Sequence, residues 1–206
     1  MIETHVLLVL GWMVFGFLHS LLASGFVKDR LVPTFGTYYR LMYSLFALLS
    51  LSALLYYQFS ISSVLLFAPQ YWLLAISLIS MILMGISMRT YFKFLSGVDV
   101  LTKTKVTSEL QVTGMHAYTR HPLYLSTLLF AWSLAGVLPY LSHLLGVLIM
   151  TIYTVYGAQL EEKKLHVQYG QKYANYSREV PMFIPWKWLA SFIFSGTSNK
   201  QVREHR

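Results

Sequence analysis

Residues 123–160 read LYLSTLLFAWSLAGVLPYLSHLLGVLIMTIYTVYGAQL, a run without a single Lys, Arg, Asp or Glu. As one helix it would be roughly 57 Å long, nearly twice the thickness of a bilayer core. Gly136 and Pro139 lie close to its middle, and proline removes a backbone donor and breaks a helix. The stretch therefore predicts a helical hairpin, with spans over 123–138 and 141–160 and a short turn near Leu138–Leu141.

Outward from the hairpin, three more apolar runs approach the length of about 20 residues that a crossing needs. They cover 6–23, 41–59 and 71–88, the last closed by Arg89 and Lys93. The expected fold is all-α and integral to the membrane, with five transmembrane helices. Composition agrees. Of 206 residues, 56% are hydrophobic and 12% charged, against roughly 25% charged in a soluble domain. So few charges exclude a cytosolic monomer, and so much apolar residue excludes intrinsic disorder. With no cysteine, disulfides, thiolate nucleophiles, iron–sulfur clusters and cysteine zinc sites are excluded as well. The flank Met1–Thr4 carries Glu3 and no basic residue, the wrong polarity for a signal peptide, so the first span is expected to be retained.

The sixteen Lys and Arg residues fall in three places. Lys28, Arg30 and Arg40 lie between the first two spans, and Arg89, Lys93, Lys103, Lys105 and Arg120 between the third and fourth. The rest follow the fifth span, while the N-terminus, the loop around Ser60–Gln70 and the hairpin turn have none. The positive-inside rule then puts the N-terminus outside and the C-terminus in the cytoplasm, as in a bacterial inner membrane. The net charge of +8 is a topology signal with affinity for anionic lipid headgroups, and nucleic acid is excluded as a partner. No residue pattern speaks to oligomeric state.

Past Leu160, Glu161-Glu162-Lys163-Lys164-Leu165 is followed by Val167, Tyr169 and Tyr173 at helix-like intervals. This predicts an amphipathic cytoplasmic segment on the membrane surface, breaking at or soon after Gly170 and ending at Val180-Pro181. Trp186-Lys187-Trp188 reads as an interfacial anchor. Residues 1–194 form one membrane-embedded domain, and 195–206 a flexible cytoplasmic tail.

Candidate chemistry gathers on the cytoplasmic side. Pro122 suits the first turn of a helix, so Arg120 and His121 stand at a helix N-terminus, where unpaired N–H groups attract carboxylate or phosphate. Two readings stand: an anion site, or residues that merely stop the helix at the headgroups. The hairpin brings Glu161 and Glu162 back beside them, either as an interfacial salt bridge or as a polar pocket for a zwitterionic, hydroxyl-bearing ligand. His116, His121 and His166 are ligand types, but His116 and His121 are split by the Pro122 boundary and match no metal-binding spacing, so no metal site is expected. His19 with Ser20 is an intramembrane polar pair, either functional or hydrogen-bonded across to a neighbouring helix. No glycine-rich nucleotide loop, nucleophile elbow or intramembrane Asp is present, which argues against nucleotide hydrolysis, serine chemistry and ion-coupled transport.

Thr113-Gly114 followed by Arg120-His121-Pro122-Leu123-Tyr124 resembles the G-x-Y-x-x-x-R-H-P-x-Y signature of the isoprenylcysteine carboxyl methyltransferase and phospholipid methyltransferase superfamily. Glu161-Glu162, Leu165, Tyr169-Gly170, Tyr173, Tyr176 and Val180-Pro181 resemble its second motif. Gly16 through Ser24, Lys28, Tyr39-Arg40-Leu41 and the ending Val180-Pro181-Met182-Phe183-Ile184-Pro185 look like the NnrU and methanethiol S-methyltransferase branch. The resemblance implies a methyltransferase dependent on S-adenosyl-L-methionine (SAM). On it, Arg120, His121 and Tyr124 line the SAM pocket, Glu161 and Glu162 take its ammonium or ribose hydroxyls, and Tyr169, Tyr173, Tyr176 and Pro181 form a lid over adenosine. Arg120, His121 and, on the substrate side, His19 are the catalytic candidates, with His116 a further candidate to take a thiol proton. Three departures stand out: His116-Ala117 replaces a Tyr-Arg pair, Ser126 a glycine, and Gly157 an arginine of the carboxyl methyltransferases. The last turns the expectation from a prenylcysteine carboxylate toward a small thiol or lipophilic acceptor. The rivals are a non-enzymatic NnrU-like membrane accessory protein and a haem- or metal-binding one.

Overall fold

The structure, a computed structural model, describes residues 1–94, 109–188 and 190. Lys103, Lys105 and the tail expected from residue 195 lie outside the described residues. The helices are α1 (Ile2–Ala23), α2 (Gly25–Phe35), α3 (Tyr39–Ser60), α4 (Leu73–Phe94), α5 (Pro122–Val137), α6 (Leu141–Tyr169) and α7 (Gln171–Glu179). Short 3-10 turns cover Gly36–Tyr38 and Gly114–Ala117. Among the described residues the only β pairing is an isolated bridge between Leu65 and Tyr140. The fold is all-α, as the sequence predicts.

Helices α1, α3, α4 and α6 are long and apolar enough to cross a membrane. With 16 residues, α5 is shorter, roughly 24 Å against a hydrocarbon core of about 30 Å. Its far end is covered by protein rather than lipid. Leu138, Pro139 and Tyr140 break the hairpin, and the α3–α4 connection folds onto the backbone groups freed there. Leu66 N–H donates to the Pro139 carbonyl at 2.8 Å, Gln70 N–H to Gly136 at 3.0 Å, and Leu141 N–H to the Val64 carbonyl at 2.9 Å. Irregular backbone survives at such a place only when its polar groups are paired like this.

The bundle is greasier outside than inside. Leu49 and Ile82 are 69% and 64% exposed, whereas Ser80, Ser126 and Ser142 are each 1% exposed. With lipid as solvent, close approach and interhelical hydrogen bonds replace burial of large apolar groups as the packing force. Ser77 and Ser133 share a hydrogen bond at 2.7 Å between α4 and α5. Trp12 Nε1 donates to Gln58 Oε1 at 2.8 Å between α1 and α3, and the Gln58 amide fills the space that a side chain at Gly146 of α6 would need.

Contacts at the two ends sort the charges. His5 Nε2 and Ser63 Oγ meet at 2.9 Å, which holds the N-terminus at the hairpin-turn end. At the opposite end the Tyr39 hydroxyl donates to the Leu22 carbonyl at 2.6 Å. Burial pushes the Lys28 ammonium below its usual pKa, and repulsion from Arg40 and Lys164 adds to it. Basic residues from three separate segments thus share one end of the bundle. The sequence predicts no helix between the first two spans, where the structure has α2. Its start is marked by Ser24, whose Oγ accepts from Val27 N–H at 3.4 Å as an N-cap does.

Candidate functional site

The basic end holds a compact polar cluster drawn from four segments. The α5 N-terminus brings Arg120, His121 and Tyr124, and the end of α6 brings Glu161 and Glu162, just past its apolar span. The third segment is α7, with Tyr173 and Tyr176, and the fourth is the chain after it. Pro122 opens α5 with His121 as its cap residue, so Arg120 and His121 precede the helix and their backbone N–H groups bond elsewhere. They donate to the carbonyls of Pro181 at 3.0 Å and Met182 at 3.2 Å. The Thr119 hydroxyl donates to Met182 as well, at 3.0 Å. The segment beyond α7 is thereby laid along the helix entrance.

Glu162 is the hub. Arg120 grips it with a bidentate fork, Nε to Oε1 at 2.7 Å and Nη2 to Oε2 at 2.8 Å. His121 Nε2 donates to Oε1 at 3.0 Å, and the Tyr173 hydroxyl to the same oxygen at 2.9 Å. Three of these four bonds end on Oε1 and one on Oε2, so of the roughly four acceptor positions of a carboxylate the open one is on Oε2. Burial alone would raise the Glu162 pKa, but the bonds from His121 and Tyr173 and the charge of Arg120 overcome it and hold it below the usual range. The remaining Arg120 nitrogen, Nη1, donates to the carbonyls of Ser177 at 2.6 Å and Val180 at 3.0 Å, which clamps α7 over the cluster.

Glu161 differs from its neighbour. Its side chain is 46% exposed against 14% for Glu162. Among the described residues it accepts one hydrogen bond, from the Tyr124 hydroxyl at 2.9 Å, with His121 Nδ1 at 3.8 Å. The Tyr124 and His121 rings stack at 5.3 Å, 8° from parallel. Tyr173 is buried, and burial followed by its bond to Glu162 raises its pKa. Burial likewise pushes the Tyr176 hydroxyl up to about 12, and it donates to the His116 carbonyl at 2.7 Å. His116 has a buried Nδ1 without a partner. Burial, then the proximity of His121, lowers its pKa and keeps it neutral. Tyr169 ends α6, one residue before Gly170.

His19 lies apart from this network, sharing a hydrogen bond at 2.9 Å with the Tyr43 hydroxyl. It reaches the cluster through empty space instead. A cavity of about 900 Å³ between the helices is lined by Trp12, His19, Met84, Tyr124, Met150 and Tyr153 among others. A second, of about 440 Å³, shares Trp12, Met84 and Met150 with it and extends to Gln58 and His143.

The structure thus brings Arg120, His121, Tyr124, Glu161, Glu162, Tyr173 and Tyr176 together, with Tyr169 at the end of α6 and His19 across the cavity. The sequence reading missed Thr119, Met182 and the carbonyls of Ser177 and Val180, which together dock the final segment. The signal for them is the Val180–Pro185 ending, in which Val180-Pro181 marks the end of the amphipathic segment.

Fold and site together define a polytopic α-helical membrane protein with an aromatic-walled ionic cluster at its basic end. The chain belongs to the NnrU family, whose model, described as NnrU protein, matches residues 7–193. Among characterised proteins it is similar to methanethiol S-methyltransferase of Crocosphaera subtropica, 38% identical over 78 residues, which is 38% of this chain and 30% of that protein. It is also similar to methanethiol S-methyltransferase of Pseudomonas deceptionensis, 35% identical over 88 residues, or 42% of this chain and 33% of the relative. The matched stretches span about a third of those relatives' length. No solved structure matches.

Proposed function

We propose that this protein is a membrane methyltransferase that uses SAM, drawn from the cytoplasm at the basic end of the bundle, to methylate a small thiol or lipophilic acceptor. The observation that carries the reading is the convergence of Arg120, His121, Glu162 and Tyr173 into one clamp beside a large apolar cavity. The names of the similar methanethiol S-methyltransferases support it.

The donor set suits SAM. The ligand carries a sulfonium, an ammonium, a carboxylate, ribose hydroxyls and a flat base, so it needs anionic acceptors and aromatic faces. Glu161 has acceptor capacity to spare, and Glu162 can give up one present partner. The stacked His121–Tyr124 pair and Tyr169, Tyr173 and Tyr176 supply rings. When bound, SAM supplies an electrophilic methyl carbon. The protein's own part is orientation and exclusion of water. The Arg120 fork fixes Glu162, and through Ser177 and Val180 the same guanidinium holds α7 as the lid. The apolar cavity receives the acceptor, with His19 and Tyr153 on its wall.

Calorimetry on detergent-purified protein tests the reading. Wild type is expected to bind SAM or its demethylated product, and His121→Ala or Glu162→Ala to weaken binding by about tenfold or more, as loss of a charged hydrogen-bonding group does. A wild type that binds neither overturns the proposal.

A further inference from the structure

Tyr124 belongs to two places at once. It lines the cavity of about 900 Å³ that opens between the helices, and its hydroxyl donates to Glu161 Oε2 at 2.9 Å. Glu161 is 46% exposed, so the pair forms a short polar path from an apolar cavity to water. Of the other titratable groups on the cavity wall, Tyr153 shares a hydrogen bond with Ser20 at 2.9 Å and Tyr156 is 61% exposed. His121 gives Nε2 to Glu162 at 3.0 Å and stacks on Tyr124. Across the cavity His19 is bonded to Tyr43, and among the described residues neither bonds to a carboxylate. A proton left on His19 would be a buried charge with no counter-ion, which is costly. His116, whose backbone carbonyl takes the Tyr176 hydroxyl, does not line the cavity.

We infer that Tyr124 and Glu161 are the proton outlet of the acceptor cavity, and that the acceptor is a protic one, a thiol above all. The inference rests on the methyltransferase reading and names how its acceptor is activated. A free thiolate in an apolar cavity is too costly to accumulate, whereas a neutral thiol is a poor nucleophile. Passing the proton on as the new bond forms avoids both. The sulfur bonds to the methyl carbon with the electron pair of its S–H bond, and the old carbon–sulfur pair stays with the departing thioether. The thiol proton goes to Tyr124 Oη while the tyrosine's own proton goes to Glu161 Oε2. A hydroxyl can do this because it donates and accepts together. The positive charge of the sulfonium leaves the site as that proton, at a carboxylate open to water.

The test uses the full chain with an alkanethiol, protonated at neutral pH, and an arenethiol, largely ionised there. Tyr124→Phe keeps the ring stacked on His121 and Glu161→Gln keeps the side-chain shape. At saturating SAM each is expected to slow methylation of the alkanethiol about 100-fold more than that of the arenethiol, at the lower end of general-base effects, whatever loss of donor affinity the two thiols share. A second readout needs no methyl donor. Binding of the arenethiolate to wild type is expected to take up about one proton, shared by the pair, since two adjoining anions in an apolar site do not both stay ionised. Calorimetry in buffers of different ionisation enthalpy measures this, and Glu161→Gln is expected to take up none. Equal losses on the two thiols, or unchanged proton uptake in Glu161→Gln, would overturn the outlet. A wild type unable to bind SAM would overturn the methyltransferase reading instead, and the donor-free titration would still decide whether Glu161 is coupled to the cavity.

Discussion

Two adjacent glutamates show how much one residue's surroundings decide. Glu161 and Glu162 are indistinguishable in the sequence, yet among the described residues Glu162 accepts four hydrogen bonds and Glu161 one. Their difference follows from the helix. Successive residues point about 100° apart, so only one of them faces the Arg120 fork. Glu162→Gln is expected to lower stability by about 2–3 kcal/mol, since it removes a charged acceptor from a partly buried network but leaves part of the hydrogen bonding. The pH dependence has a definite sign. The folded carboxyl titrates below the 4.5 of an ordinary glutamate, so its contribution is complete above that pH and is lost as pH falls through the lower folded value. Thermal unfolding should therefore show wild type losing stability below about pH 4.5, with Glu162→Gln lacking that component. Arg120→Lys keeps the charge but not the fork, and should fail to restore the clamp.

At the scale of elements, the hairpin and the break before α7 were legible because each rests on local covalent chemistry. Pro139 cannot continue a helix, and Gly170 adopts φ 52 and ψ −129, a backbone conformation open almost only to glycine. Gly170→Ala should accordingly cost about 1–3 kcal/mol. Because α7 carries Tyr173 and Tyr176, the expected signature is lowered thermal stability together with weaker SAM binding. Unchanged values for both would mean that the turn is not what seats the lid. The convergence of Arg120 and Glu162 was legible too, since an antiparallel hairpin must return to its starting end. What the sequence hid was tertiary. Ser24 is the one local mark of α2, whose apolar residues are exposed or half-buried and follow no strong period. Tyr43 does not announce itself as the partner of His19, because a tyrosine in an apolar run looks like any other large side chain. The cavity between the helices is likewise a property of packing, with no local signature.

For the whole molecule, the question that matters most is which side of the membrane the cluster faces. Contacts within the bundle put the N-terminus, residues 61–72 and the hairpin turn at one end. Arg120, Glu162 and α7 are at the other, with the basic residues. If the positive-inside rule holds, that second end is cytoplasmic, where a water-soluble methyl donor is made. The chain has no cysteine, so single cysteines report topology without interference. Phe67, 49% exposed in the α3–α4 connection, and Lys172, exposed on α7, are suitable positions. In intact spheroplasts Phe67→Cys is expected to react with a membrane-impermeant maleimide and Lys172→Cys to react only after the membrane is opened. The reverse pattern would turn the cluster outward, away from any cytoplasmic donor, and the proposed chemistry would lose its supply although every distance inside the bundle stayed the same. Topology is thus the one property of this fold on which the function depends and which packing alone cannot determine, because the same bundle inserted upside down has the same internal contacts. The charges outside the bilayer set it, so moving basic residues to the 61–72 connection should shift the labelling pattern before it disturbs the fold.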